Sequence, residues 1–217
     1  EVMPKIEYVD DSWDTEQLLE SLSPPVRNWF KDKFPDFTEP QKLAIPRILN
    51  GEHLLLCSPT GSGKTLTAFL TIIDDLVRKS LDGSLGNSVQ CVYISPIKAL
   101  ANDIQKNLIG PLTEIRERYL PGRAKEIKVG LRTGDTSRKE RERMLRKPPH
   151  ILITTPESLG LALASKRFRP LLNDLQWMII DEMHSLVPTK RGTHLALSLA
   201  LMDSVIDSHV QRIGISA

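Results

Sequence analysis

His53-Leu-Leu-Leu-Cys57 runs directly into Ser58-Pro-Thr-Gly-Ser-Gly-Lys-Thr65, and the junction of these two stretches decides the fold. The first is a short apolar run of strand type. The second is small and glycine-rich, and from Lys64 to about Lys79 the pattern turns helical. Strand, glycine-rich turn and helix in that order let backbone N–H groups cup a phosphate, because only small residues bring the chain close enough. Ser58, Pro59, Thr60, Gly61, Ser62 and Gly63 are read as the cradle. Lys64 reaches the β- and γ-phosphates as a catalytic cation, Thr65 offers a hydroxyl to Mg²⁺, and the helix amino terminus adds its dipole. ATP with Mg²⁺ is the expected cofactor. The first motif position is Ser58 where glycine is usual, and a small side chain fits there. The competing reading is a plain glycine turn at a strand end.

Outward from this junction the chain alternates. Apolar runs at His53–Cys57, Gln90–Ser95, Ile127–Leu131, Ile151–Thr154, Trp177–Asp181 and Arg212–Ser216 are separated by longer helical stretches. Near-continuous runs such as HLLLC and WMII suit strands buried on both faces, so the expectation is an α/β fold with a mainly parallel, doubly wound sheet and active groups at the strands' carboxyl ends. Short helices are expected ahead of the sheet, two joined at Pro24-Pro25 between Asp14 and Phe34, and a third over Pro40–Leu49. Ser80–Ser88 (SLDGSLGNS) reads as an exposed loop, and Thr136–Lys147 (TSRKERERMLRK) as a solvated helix face.

Composition bounds the function. The 217 residues are 40% hydrophobic with a net charge of +2, enough for one α/β core and only mildly suited to a polyanion. Cys57 and Cys91 sit singly in apolar runs, which reads as two buried, inert thiols in a reducing, cytoplasmic setting, without disulfide or zinc. No apolar run reaches membrane-spanning length, and because the first residue is Glu1 and not methionine, further sequence upstream is an expectation.

A second chemical signal follows the Trp177-Met-Ile-Ile run, as Asp181-Glu182-Met183-His184. Acids at the carboxyl end of a buried strand, paired with a phosphate cradle on a neighbouring strand end, have a defined use. Asp181 holds Mg²⁺ with Thr65, and Glu182 orients and deprotonates the attacking water. Trp177 opens its strand and reads as core packing. His53, His150, His194 and His209 show no ligand spacing and read as structural.

From about Phe37 to Ala217 the chain resembles the first RecA-like domain of superfamily 2 helicases, and among them the large helicase-related (Lhr) proteins. The further motifs carrying the likeness are Phe37-Thr-Glu-Pro-Gln41, Ser95-Pro-Ile-Lys-Ala-Leu100, Arg132-Thr-Gly-Asp135, Thr154-Thr-Pro-Glu-Ser-Leu159, Lys190-Arg-Gly192 and Arg212-Ile-Gly-Ile-Ser-Ala217. The resemblance implies a RecA-like three-layer α/β/α domain over 37–217, a helical extension over 1–36, and a second RecA-like domain elsewhere in the full-length chain. It assigns Gln41 to the adenine base, an amide being able to donate and accept. Ser95, Pro96 and Lys98, then Arg132, Thr133 and Gly134, then Thr155, Pro156 and Glu157 become contacts to a passing strand of DNA or RNA. Such contacts, at strand-to-helix turns, hold phosphates without reading bases. His184 and Ser216 become the pair that relays nucleotide state.

Phosphoryl transfer draws a rate factor on the order of 10³ to 10⁵ from an arginine finger, which in this superfamily belongs to the second domain. The expectation is therefore an ATP-dependent helicase domain, nearly inactive alone, and when complete unwinding single-stranded or partly duplex DNA or RNA 3′ to 5′. The expected location is cytoplasmic, with nucleoid association allowed and no membrane. A nucleotide-gated clamp without processive movement is the alternative. A kinase or transporter ATPase needs none of the strand-contact motifs.

Overall fold

The computed structural model describes residues 5–59, 63–96, 104–120, 122 and 124–216. The calls on Thr60, Gly61, Ser62 and Lys98 lie outside these. Two helices lead, α1 (Thr15–Ser21) and α2 (Pro24–Lys33). Asp14 caps α1 reciprocally with Gln17, its carboxylate accepting the Gln17 N–H at 2.8 Å while the Gln17 amide oxygen accepts the Asp14 N–H at 3.0 Å. Pro24 opens α2, where its missing N–H costs nothing. The helix α3 (Glu39–Leu49) then delivers the chain to β1 (Leu54–Cys57).

From there strands and helices alternate: α4 (Lys64–Asp82), β2 (Cys91–Ile94), a π-helical turn (Gln105–Ile109) leading into α5 (Gly110–Tyr119), β3 (Val129–Arg132), α6 (Arg138–Arg146), β4 (Ile151–Thr154), α7 (Pro156–Ala164), β5 (Trp177–Ile180), α8 (Met183–Leu186), α9 (Lys190–Val205) and β6 (Gln211–Ser216). All pairings are parallel, in the order β1-β6-β5-β2-β4-β3. The six expected strands are present, each shifted by no more than two residues at its start.

Alternation along each strand divides the core into two layers. In β2, Cys91 and Tyr93 join Phe69, Ile72, Ile73 and Leu76 of α4, whereas Val92 and Ile94 join Leu159 and Leu163 of α7 and Leu195 and Met202 of α9. Each such fully buried side chain contributes roughly 1.5–3 kcal/mol. Leu18 of α1 and Val26, Trp29 and Phe30 of α2 belong to the first layer as well. Asp74 of α4 also anchors them, its carboxylate accepting the backbone N–H of Ser23 at 2.7 Å. The basic run became α6, which has no fully buried residue and rests Met144 and Leu145, partly buried, against the second layer. Trp177 packs against the first layer with the Lys79 ammonium 5.4 Å from its ring centre.

Three expectations need correction. β1 is an edge strand, and the second helix layer contains none of its residues, so Leu55 is 58% exposed and the Cys57 thiol is exposed too. Only Cys91 is the buried cysteine. The Ser80–Ser88 stretch is not simply a loop: α4 continues to Asp82 and stops at Gly83, whose φ of 82° is left-handed. Ser80, Leu85 and Ser88 are buried, with the Ser80 hydroxyl donating to the Lys125 carbonyl at 2.5 Å. Finally, β1 and β5 are not adjacent, because β6 lies between them.

Candidate active site and strand track

Parallel strands in register bring their carboxyl ends to one edge. Cys57 pairs with Ser216, Ile94 with both Ile180 and Thr154, and Thr154 with Arg132. With strands about 4.8 Å apart, the interposed β6 sets β1 and β5 roughly 10 Å from each other, room for a phosphate and a hydrated cation between their ends.

On the β1 side, Gly63 takes φ 81° to cap α4, a left-handed turn that glycine makes without strain. A Cβ there would lie 3.7 Å from the Gln41 amide nitrogen, so Gln41 sits directly against the glycine that opens α4. Gln41 is buried, and its amide oxygen accepts the Thr38 N–H at 2.9 Å, which fixes the amide's orientation while leaving a lone pair. The Lys64 ammonium turns back across the loop to donate to the carbonyls of Ser58 and, at 2.9 Å, Pro59. Ser58, Lys64 and Thr65 are half-buried.

At the end of β5, Asp181 is buried and its carboxylate is positioned from two sides. One oxygen accepts the Glu182 N–H at 2.8 Å and the other accepts the hydroxyl of Tyr93, a fully buried residue of β2. Two of about four lone-pair sites remain for a hard cation or its waters, so the donor set of Asp181 and the Thr65 hydroxyl suits Mg²⁺. Glu182 is the one non-glycine residue with positive φ among those described, at φ 53° and ψ 41°. This left-handed turn costs roughly 1–2 kcal/mol for a residue with a Cβ. The Glu182 carboxylate lies 3.0 Å from His184 Nε2, and His184 Nδ1 lies 3.2 Å from the Ser216 hydroxyl. A chain of contacts thus runs from the end of β5 to the end of β6.

Farther along the edge lie the other predicted residues. Ser95 is 1% exposed, so its hydroxyl is not on a surface that a strand could cross, whereas Pro96 beside it is partly open. Arg132 ends β3 rather than lying in the turn. Its guanidinium carbon is 4.4 Å from the centre of the Phe168 ring, and burial, then the charge of Arg141, lowers its pKa. Thr133 and the exposed Gly134 form the turn itself, with the Thr133 N–H donating to the Thr136 hydroxyl at 2.8 Å. Thr155 caps α7, its hydroxyl accepting the Ser158 N–H at 3.3 Å, and Pro156 is buried at the first helical position. Glu157 is exposed and ion-paired to Arg191 at 2.5 Å.

Two residues with evident parts in this geometry had no role assigned from sequence, Tyr93 and Arg191. A tyrosine inside an otherwise apolar strand is itself a signal, since a buried hydroxyl needs a partner. Arg191 lay within the Lys190-Arg-Gly192 motif without a stated purpose.

Residues 38–217 match the DEAD/DEAH box helicase family. The chain is 53% identical over 197 residues to the ATP-dependent helicase Lhr-Core of Methanothermobacter thermautotrophicus, covering 90% of this chain and 23% of that protein. It is 44% identical over 214 residues to the Lhr helicase/uracil glycosylase of Escherichia coli, covering 95% of this chain and 14% of that protein. A solved structure of Mycobacterium smegmatis helicase Lhr bound to ssDNA and AMP-PNP superposes with a TM-score of 0.82 at 44% identity, over 94% of this chain and 25% of that one. The chain therefore spans about a quarter or less of these relatives' length. With a family match across most of its length and a matching fold, the chain belongs to the DEAD/DEAH box helicases and forms an ATP-binding helicase domain of Lhr type.

Proposed function

We propose that this domain powers a motor that translocates on single-stranded DNA or RNA, 3′ to 5′, by hydrolysing Mg²⁺-bound ATP together with a second RecA-like domain in the same protein. The domain is assigned to 37–217 and the helices before it to an extension over 1–36. The observation that carries this reading is the single carboxyl edge on which Ser58 and Pro59, Asp181-Glu182 and the Pro96, Thr133 and Thr155 turns all lie.

In this reading Gln41 holds the adenine and the loop of Ser58–Thr65 with Lys64 holds the phosphates. Asp181 and Thr65 hold Mg²⁺, which when bound screens the charge of the phosphates. Glu182 orients the attacking water and takes its proton. The strained turn at Glu182 supports this role, because glycine would make the same turn more cheaply and only a carboxylate serves as base. His184 and Ser216 carry the state of that carboxylate toward β6. Pro96, Thr133, Gly134 and the start of α7 bind the strand, by backbone contacts that favour no base sequence.

Strand displacement by the whole protein on duplexes with a 3′ or a 5′ single-stranded tail tests the motor. ATP-dependent unwinding of the 3′-tailed duplex supports it. Nucleotide-dependent retention of the strand without unwinding would replace it with a clamp.

A further inference from the structure

Arg191, in the first turn of α9, reaches two loops that belong to different strands. Its Nε and Nη2 donate to the two carboxylate oxygens of Glu157 at 2.5 and 3.1 Å, and its Nη1 donates to the Pro96 carbonyl at 2.7 Å. Glu157 starts α7 after β4, Pro96 follows β2, and these two strands are neighbours. One planar guanidinium thus ties the starts of both turns to a third element. Only a rigid fork does this, because a lysine ammonium cannot hold two carboxylate oxygens and a carbonyl in one plane.

The charge is equally telling. An exposed carboxylate beside a phosphate track repels the strand it should hold, and here that charge is matched. The Arg191 hydrogen bonds draw the Glu157 pKa down from 4.5 to about 2, against the opposing effect of burial, so the pair is ionised at neutral pH. Behind Arg191, Gly192 lies so close to α8 that a Cβ would come within 2.4 Å of the Leu186 carbonyl. The start of α9, which carries the guanidinium, is thus packed directly against α8, which carries His184.

We infer that Arg191 is a positioning residue for nucleic-acid binding: through Glu157 and Pro96 it holds the two turns at one spacing and cancels the carboxylate charge between them. This rests on the proposed strand track. Arg191 does its work while bound to protein groups, and it is not itself a phosphate contact.

The test is binding of a fluorescent 20-nucleotide homopolymer, dT or U, to the whole protein across a salt series, for Arg191→Gln, Arg191→Lys, Glu157→Gln and the double Gln variant. The expected result is that each single Gln variant weakens binding about tenfold, the scale of one lost set of charge-assisted hydrogen bonds. The double variant should be no weaker than the worse single, Lys should fail to rescue, and the salt slope and the affinity for a fluorescent ATP analogue should stay put. If instead Arg191→Gln lowers the salt slope by about 0.7, Lys restores binding and Glu157→Gln leaves it unharmed, Arg191 contacts phosphate directly and the inference is wrong. Should Arg191→Gln not fold, Glu157→Gln decides alone. A wild-type protein that binds neither homopolymer overturns the strand track, and the inference with it.

Discussion

Replacing Gly192 with alanine puts a methyl group where α8 already stands. Its Cβ would lie 2.4 Å from the Leu186 carbonyl oxygen, 2.9 Å from that of Val187 and 3.0 Å from the Leu186 carbonyl carbon. Carbon and oxygen settle no closer than about 3.3 Å even in favourable contacts, so the two backbones must part by roughly an ångström. These are main-chain atoms that cannot rotate aside, and the Leu186 carbonyl is further held by the Thr189 hydroxyl at 2.7 Å. Overpacking of this kind costs about 1–3 kcal/mol. Alanine recovers up to about 1 kcal/mol of helix propensity at the start of α9, leaving a net loss of about 0–2 kcal/mol, toward the upper end because main-chain atoms block the methyl group. Urea unfolding followed by circular dichroism measures it. Because Arg191 is the preceding residue, the same variant should bind single strands less tightly while its ATP affinity holds. An unfolding midpoint above that of the wild type would show that the close approach of α8 and α9 is wrong.

Other outcomes follow from the same geometry. Gly134→Ala has open space and no positive φ, so its stability should stay within about 0.5 kcal/mol of the wild type, whereas strand affinity should fall if the nucleic acid runs over this turn; unchanged affinity removes Gly134 from the track. A thiol reagent should modify Cys57 rapidly in the native protein and leave Cys91, whose pKa burial raises, until urea is added; two fast thiols or none would contradict the edge position of β1. Glu157 has a folded pKa depressed from 4.5 to about 2, so its pairing stabilises fully above 4.5 and is lost as pH falls toward 2. The stability gap between wild type and Arg191→Gln should accordingly narrow over that window, and a gap that widens on acidification would rule out the ion pair as its source.

Much of this architecture was legible because the signals are local. Apolar runs of four to six residues mark strands whatever surrounds them, and the Ser58–Thr65 turn declares itself by composition and by its place between strand and helix. What escaped depends on order in space. Nothing in HLLLC says that it will be an edge strand, so the exposure of Leu55 and Cys57 was invisible. β6 comes last in the chain yet slots between β1 and β5, a crossover that no local pattern encodes. Serine, aspartate and glycine made Ser80–Ser88 look like a loop, although α4 runs on to Asp82 and the Ser80 hydroxyl is tied to the distant Lys125 carbonyl. In the site, the Asp181-Glu182 pair was readable from two adjacent letters. Its support by Tyr93 spans 88 residues and the Arg191–Glu157 pair spans 34, distances at which sequence carries no pattern.

Steady-state ATP hydrolysis by the whole protein, with and without single-stranded DNA and RNA, bears most directly on the claim that one sheet edge joins an ATP site to a strand track. The account predicts stimulation by at least one of the two nucleic acids, and its loss in Glu182→Gln with ATP binding retained. Hydrolysis that ignores both nucleic acids, or that survives Glu182→Gln, would contradict it.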